Sequence, residues 1–143
     1  GVGGVGGVMV YAWSSPPTVY NTIIAGNHDN MPADQAYPDV SGPFTSQGYN
    51  LVGDGTSSTG FTDGVNGDIV GTRTAPVNPR LRPLAYNGGF TPTHLPRWNS
   101  RAVDHAGPSL QTDDQRKHHR PYGMAPDIGS IELEYLMLPD LLK

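Results

Sequence analysis

Glycine and proline punctuate this chain so closely that few windows of twelve residues lack both. Proline removes a backbone donor and clashes with the preceding helical turn, and glycine costs a helix about 1 kcal/mol relative to alanine. Long helices are therefore excluded. The 19 glycines and 14 prolines are nearly a quarter of the 143 residues, a share that approaches that of low-complexity chains. The placing of the apolar residues argues for a fold instead: they make up 36% of the chain and gather in short β-branched runs. The expectation is an all-β chain of short strands and many turns, long enough for one core.

Strands are predicted over residues 8–13 (VMVYAW), 18–25 (TVYNTIIA) and 48–52 (GYNLV), with shorter ones over 39–41, 68–71, 100–104 and 127–133. The Ser/Thr/Gly/Asp stretch over 56–67 reads as a loop. Tyr-Asn recurs at Tyr20-Asn21, Tyr49-Asn50 and Tyr86-Asn87, and the first two lead into apolar runs closed by glycine, "YNTIIAG" and "YNLVG". Such repetition at unequal spacing suggests a solenoid whose coils carry insertions. Asparagine and glycine tolerate the left-handed backbone of sharp corners, and stacked asparagines hydrogen-bond along a ladder.

Charge and composition narrow the function. A net charge of -4 with 15% charged residues lacks the basic footprint of a nucleic-acid binder. The absence of cysteine excludes disulfides and thiolate metal sites. No apolar run approaches the roughly 20 residues of a membrane-spanning helix. The opening "GVGGVGGV" has no strand before it and no helix predicted after it, so it does not read as a dinucleotide loop. It has no initiator methionine and no basic start, and reads as the interior of a longer protein with any export signal upstream.

Five motifs occur in a fixed order: "NTIIAGN" (21–27), "SQGYNLVGD" (46–54), "NPRLRPLAYNGGFTPTHLP" (78–96), "AVDHAG" (102–107) and "TDDQRKHHRPYGMAPDIGSIE" (112–132). Together they resemble the closing section of bacterial right-handed parallel β-helix proteins with the choice-of-anchor Q domain. Polymorphic outer-membrane-protein repeats and pectate-lyase-like folds share that architecture. The resemblance covers roughly residues 17–132. It implies a β-helix fragment with long loops and a C-terminal cap, extracellular or at a cell surface, used as a structural or adhesive module. The same architecture carries polysaccharide lyases and glycoside hydrolases, so an enzyme acting on an acidic polymer is the alternative. The chain departs from the family at Lys117, where a glycine is usual, at "NSRA" (99–102), where "GSPA" is usual, and at His105, His118 and His119. Coils and closing loops are expected over 1–132. The apolar tail over 133–143 would then be a cap or an oligomer contact, because a first coil would otherwise expose unpaired backbone groups.

The densest chemistry lies in residues 112–120. On a structural reading, Asp113 or Asp114 pairs with Arg116 or Arg120, a guanidinium fork holding a carboxylate and pinning the last loop. Ile128 and Ile131 would then plug the end of the core. On a catalytic reading, Asp113 and Asp114 hold calcium while Arg116 or Arg120 acts as base or charge clamp on a uronate polymer. Adjacent residues of a strand point to opposite faces, which weighs against a two-carboxylate hydrolase. His118 and His119 diverge for the same reason, and nothing in the spacing brings His94 or His105 to them. Asp54, Asp63 and Asp68, in and beside a glycine-rich loop, are candidate calcium ligands without EF-hand spacing. Trp13, Tyr86, Trp98 and Tyr122 are candidate sugar-stacking residues.

Overall fold

The computed structural model describes residues 6–28, 39–109 and 111–134. The expected tail cap lies outside these residues except for Leu133 and Glu134. The chain divides into two compact units, Gly1–Pro79 and Arg80–Lys143.

The first unit holds eight short strands: β1 (Val8–Met9), β2 (Thr18–Val19), β3 (Ile23–Ile24), β4 (Val40–Pro43), β5 (Thr45–Ser46), β6 (Leu51–Val52), β7 (Ser57–Thr59) and β8 (Ile69–Val70). They form three sheets ordered β1-β4-β7, β2-β5 and β3-β6-β8, and every pairing is parallel. The chain thus visits three sheets in one order, returns to them in the same order, and then re-enters the first and third. The described residues contain no helix, and nothing among them is long and apolar enough to cross a membrane as a helix.

A run of valines and isoleucines can be cut into such short strands because single residues turn the chain between them. Asn21 stands at φ 48, Tyr49 at φ 55 and Gly67 at φ 77. Ile23 faces Leu51 and Leu51 faces Ile69. Carried back along the chain, that register stacks these three left-handed residues in one column. The stretch 18–25 is therefore not one strand: Tyr20 and Asn21 make a corner between β2 and β3. At Gly67 the Tyr49 ring fills the space a side chain would need, so that a Cβ would lie 2.6 Å from its Cδ1. Gly42 stands at φ 98, and a Cβ there would run into the Val10 carbonyl of the preceding pass.

The apolar centre of this unit is Val40, Phe44 and Val52, with Val10, Val19, Ile24, Phe61 and Val70 packed around it. The Phe44 and Phe61 rings meet at 5.1 Å. Each fully buried side chain of this kind contributes roughly 1.5–3 kcal/mol. Leu51 and Val52 are both completely buried, so both faces of β6 are covered.

The second unit has no ladder. Its backbone is held by isolated antiparallel bridges, Leu81 to Pro96, Ala85 to Thr93 and Asp113 to His119, and its apolar cluster is Leu95, Val103, Ile131 and Leu133. Residues 101–104, inside a stretch expected as a strand, form a turn, and 127–133, also expected as one, bend at 128–130, with Gly129 at φ 100, and have no strand partner among the described residues. Conversely, β7 lies inside the stretch 56–67 expected to be loop. Its composition is that of a turn, but pairing with β4 makes it a strand.

Candidate functional site

Two polar constellations are buried deeply enough to need explanation. In the first unit, Asn50 is fully buried beside Asp68. Its Oδ1 accepts the Thr22 N–H at 3.1 Å, and its Nδ2 donates to the Val19 carbonyl, Ser46 Oγ and Asp68 Oδ1 at 3.2, 3.0 and 3.0 Å. Asp68 also accepts the Asn50 N–H and the Ser46 hydroxyl. Residues from all three passes of the chain meet here. Asp39 makes a second such tie, accepting from the Asn27 N–H and side-chain amide and from the Asp54 N–H.

The second constellation occupies residues 104–134. Arg116 lies over Asp114 with both side chains fully buried: Nε donates to Oδ2 at 2.9 Å, and Nη2 stands 2.8 Å from the same oxygen. The Asp114 carboxylate further accepts the N–H groups of Arg116, His118 and Glu132. The remaining guanidinium donors go to the carbonyls of Asn87 and Glu132. Burial pushes the Asp114 carboxyl up, but the donors from Glu132, His118 and Arg116 outweigh it and hold the carboxyl below its ordinary value. Arg120 caps the carbonyls of Asp127 and Gly129, with its Nε 3.8 Å from Glu132. Glu132 accepts the N–H groups of Tyr122 and Asp127, and Asp127 accepts those of Asp104 and Leu133.

The Asp127 carboxyl is raised, to about 7. Its burial is the main cause, with the Glu132 and Asp104 charges adding to it and the two N–H donors opposing. Between the ordinary value of 3.8 and about 7, the folded chain keeps a proton that the unfolded chain has released. Asp127 therefore contributes stability below pH ~4 that is lost as pH rises to about 7, on the order of 4 kcal/mol over that window. Asp114 works in the opposite sense: its contribution is present above its ordinary value and lost as pH falls through the depressed one. Asp127→Asn, which imitates the protonated side chain, is expected to flatten the decline between pH 4 and 7 in urea titrations. An unchanged decline would assign it to other groups.

Lys117 takes φ 72, closing a turn in which its N–H reaches the Asp114 carbonyl at 3.0 Å. A left-handed backbone is what a glycine would serve, and lysine holds it at a cost of roughly 1 kcal/mol.

The residues singled out from sequence separate in space and in role. Asp114 and Arg116 come together and are buried, whereas Asp113 is half exposed, its carboxylate 4.0 Å from His119. Arg120 serves carbonyls. Of the four, Asp114 and Arg116 are saturated by partners within the fold, whereas the Asp113 carboxylate is open to solvent and His119 is its neighbour. His118 Nδ1 pairs with Glu134, while His94 and His105 bond the carbonyls of Arg82 and Val103. Asp54 accepts the Thr56 N–H, Asp63 that of Val70, and Asp68 the Asn50 set. They do not form a calcium cage, and no three acidic or imidazole side chains gather for a metal among the described residues. Trp13 is 83% exposed and stacks on Tyr11 at 4.6 Å; Tyr86 and Trp98 are exposed and stack on no other ring among the described residues, and Tyr122 is exposed as well. Sequence reasoning missed Asp127 and Glu132 as members of the network. Their only signal was two carboxylates flanking the apolar residues Ile128 and Ile131.

Comparison with protein-family models, with characterised proteins and with solved structures finds no match.

Proposed function

We propose that the chain is the closing section of a right-handed parallel β-helix of the choice-of-anchor Q type. Its work is mechanical and adhesive: a rigid module, secreted or displayed at a cell surface, whose exposed aromatic rings rest against polysaccharide. The three parallel sheets visited in repeated order support the β-helix reading. The observation that carries the functional reading is the state of Asp114 and Arg116. Both side chains of the pair are fully buried in the densest charged segment, and they are hydrogen-bonded to each other and to the backbone of residues 87, 118 and 132. A lyase or hydrolase would need a base and a charge clamp facing solvent. Here the same residue types secure the closing loops, and exposed Trp and Tyr faces are left for pyranose rings.

The test is twofold. Incubation with polyuronates and neutral glucans, with and without calcium, is expected to give no chain cleavage, and turnover abolished by Asp113→Asn would overturn the reading in favour of the enzyme. In affinity electrophoresis against the same polymers, at least one is expected to retard the protein. Trp98→Ala should then weaken retardation roughly three- to tenfold, the contribution of one stacked ring. Equal retardation of the variant would remove Trp98 from the surface.

A further inference from the structure

The charges of the second unit are unevenly placed. Residues 80–103 contain no aspartate or glutamate, yet they carry Arg80, Arg82, Arg97 and Arg101, all in the bridged hairpin and the turn after it. The Leu81–Pro96 bridge sets Arg80 opposite Arg97, whose N–H donates to the Arg80 carbonyl at 2.9 Å. Like charges placed opposite each other on an antiparallel pair oppose folding. Arg97 then begins a turn closed by the Ser100 N–H at 2.8 Å, which keeps Arg101 on the same short stretch of surface.

Arg97 and Arg101 are exposed and have no carboxylate partner among the described residues. The Arg82 Nε is buried and has no hydrogen-bond acceptor among them. A donor buried without an acceptor costs about 1–3 kcal/mol. An anion arriving at the hairpin would meet the exposed guanidinium forks of Arg97 and Arg101. Between Arg97 and Arg101 stands Trp98, 60% exposed, and Tyr86, 76% exposed, lies nearer the hairpin tip.

We infer that this arginine hairpin is a binding surface for a carboxylated polysaccharide. Planar guanidinium forks bind carboxylates through paired hydrogen bonds, and the intervening ring faces take the sugar. The inference rests on the adhesive reading above and narrows it to uronate-bearing chains. Nucleic acid is a poorer fit: the chain is acidic overall, and the cationic run is confined to one hairpin and its following turn.

The experiment measures retardation of the full chain by polygalacturonate, by the same polymer with its carboxylates reduced to alcohols, and by single-stranded DNA. Polygalacturonate should bind at least about tenfold more tightly than its reduced form, as charge-assisted hydrogen bonds would give. Added salt should weaken it. Arg97→Gln with Arg101→Gln should abolish that preference while leaving binding to the reduced polymer unchanged and without lowering the urea midpoint. Equal binding of the two polymers overturns the inference and spares the adhesive reading. Binding of neither overturns both. Tighter binding of the DNA, or a preference that survives the double substitution, also overturns the inference.

Discussion

Replacing Arg116 by alanine is expected to cost the Arg80–Lys143 unit roughly 3–5 kcal/mol, the range found when one partner of a buried ion pair is removed. Asp114 would keep its N–H donors from residues 116, 118 and 132 but lose the guanidinium paired with it, and the carbonyls of Asn87 and Glu132 would lose its donors. Against a typical total of 5–15 kcal/mol, that loss brings the unit near its unfolding threshold. Urea unfolding followed by tryptophan fluorescence would read it through Trp98. The double variant Asp114→Ala with Arg116→Leu should cost less than the sum of the single losses, because no lone charge stays buried. A single loss below about 1 kcal/mol would mean that water reaches the pair and that it holds nothing together.

How the sequence foreshadowed this unit is instructive. Charge density alone pointed to residues 112–120, and a carboxylate–guanidinium pair was one of the readings it allowed. Which aspartate takes part was not legible, because Asp113 and Asp114 differ only in the face they turn inward. Residues 100–104 and 127–133 have strand-like composition, yet no strand forms there. Four of their N–H groups go instead to carboxylates, Asp104 and Leu133 to Asp127, Asp127 to Glu132 and Glu132 to Asp114, while Ile128 donates to the Ala102 carbonyl. Local propensity reports what a backbone prefers in isolation. It does not report that distant side chains will supply the acceptors a neighbouring strand would have supplied.

In the first unit the apolar runs pointed to β1, β2, β3, β6 and β8, missed β5 and β7, and did not show how the strands align. The Tyr-Asn repeat invites stacking of Asn21 on Asn50. The observed register places Asn21 beside Tyr49, and Thr22 beside Asn50. A repeat one residue out of step looks the same in sequence, yet along a strand it exchanges the buried face for the exposed one. The corner residue decides the phase. Asn21 and Tyr49 both take the left-handed conformation, so the second Tyr-Asn turns one residue earlier than the first.

That shift puts Asn50 where its replacement should matter most in the first unit. Asn50→Leu is expected to lower stability by at least about 3 kcal/mol, since it leaves the Thr22 N–H, the Val19 carbonyl and the Asp68 carboxylate each short of a partner in a site closed to water. Leucine has the same branched outline but a larger volume, so the loss carries no cavity term and overpacking adds to the lost bonding. Asn50→Asp separates the two causes further. It keeps an acceptor for Thr22 but sets a second carboxylate against Asp68, which two like charges at hydrogen-bond distance cannot both sustain. Its stability should therefore be poor at neutral pH and recover as one carboxyl of the pair takes up a proton, a recovery the leucine variant cannot show. Equal losses for both variants at every pH would mean that the site needs only the shape of asparagine. A pH-dependent loss confined to the aspartate variant would show that the three passes of the chain are tied by donors and acceptors matched one to one.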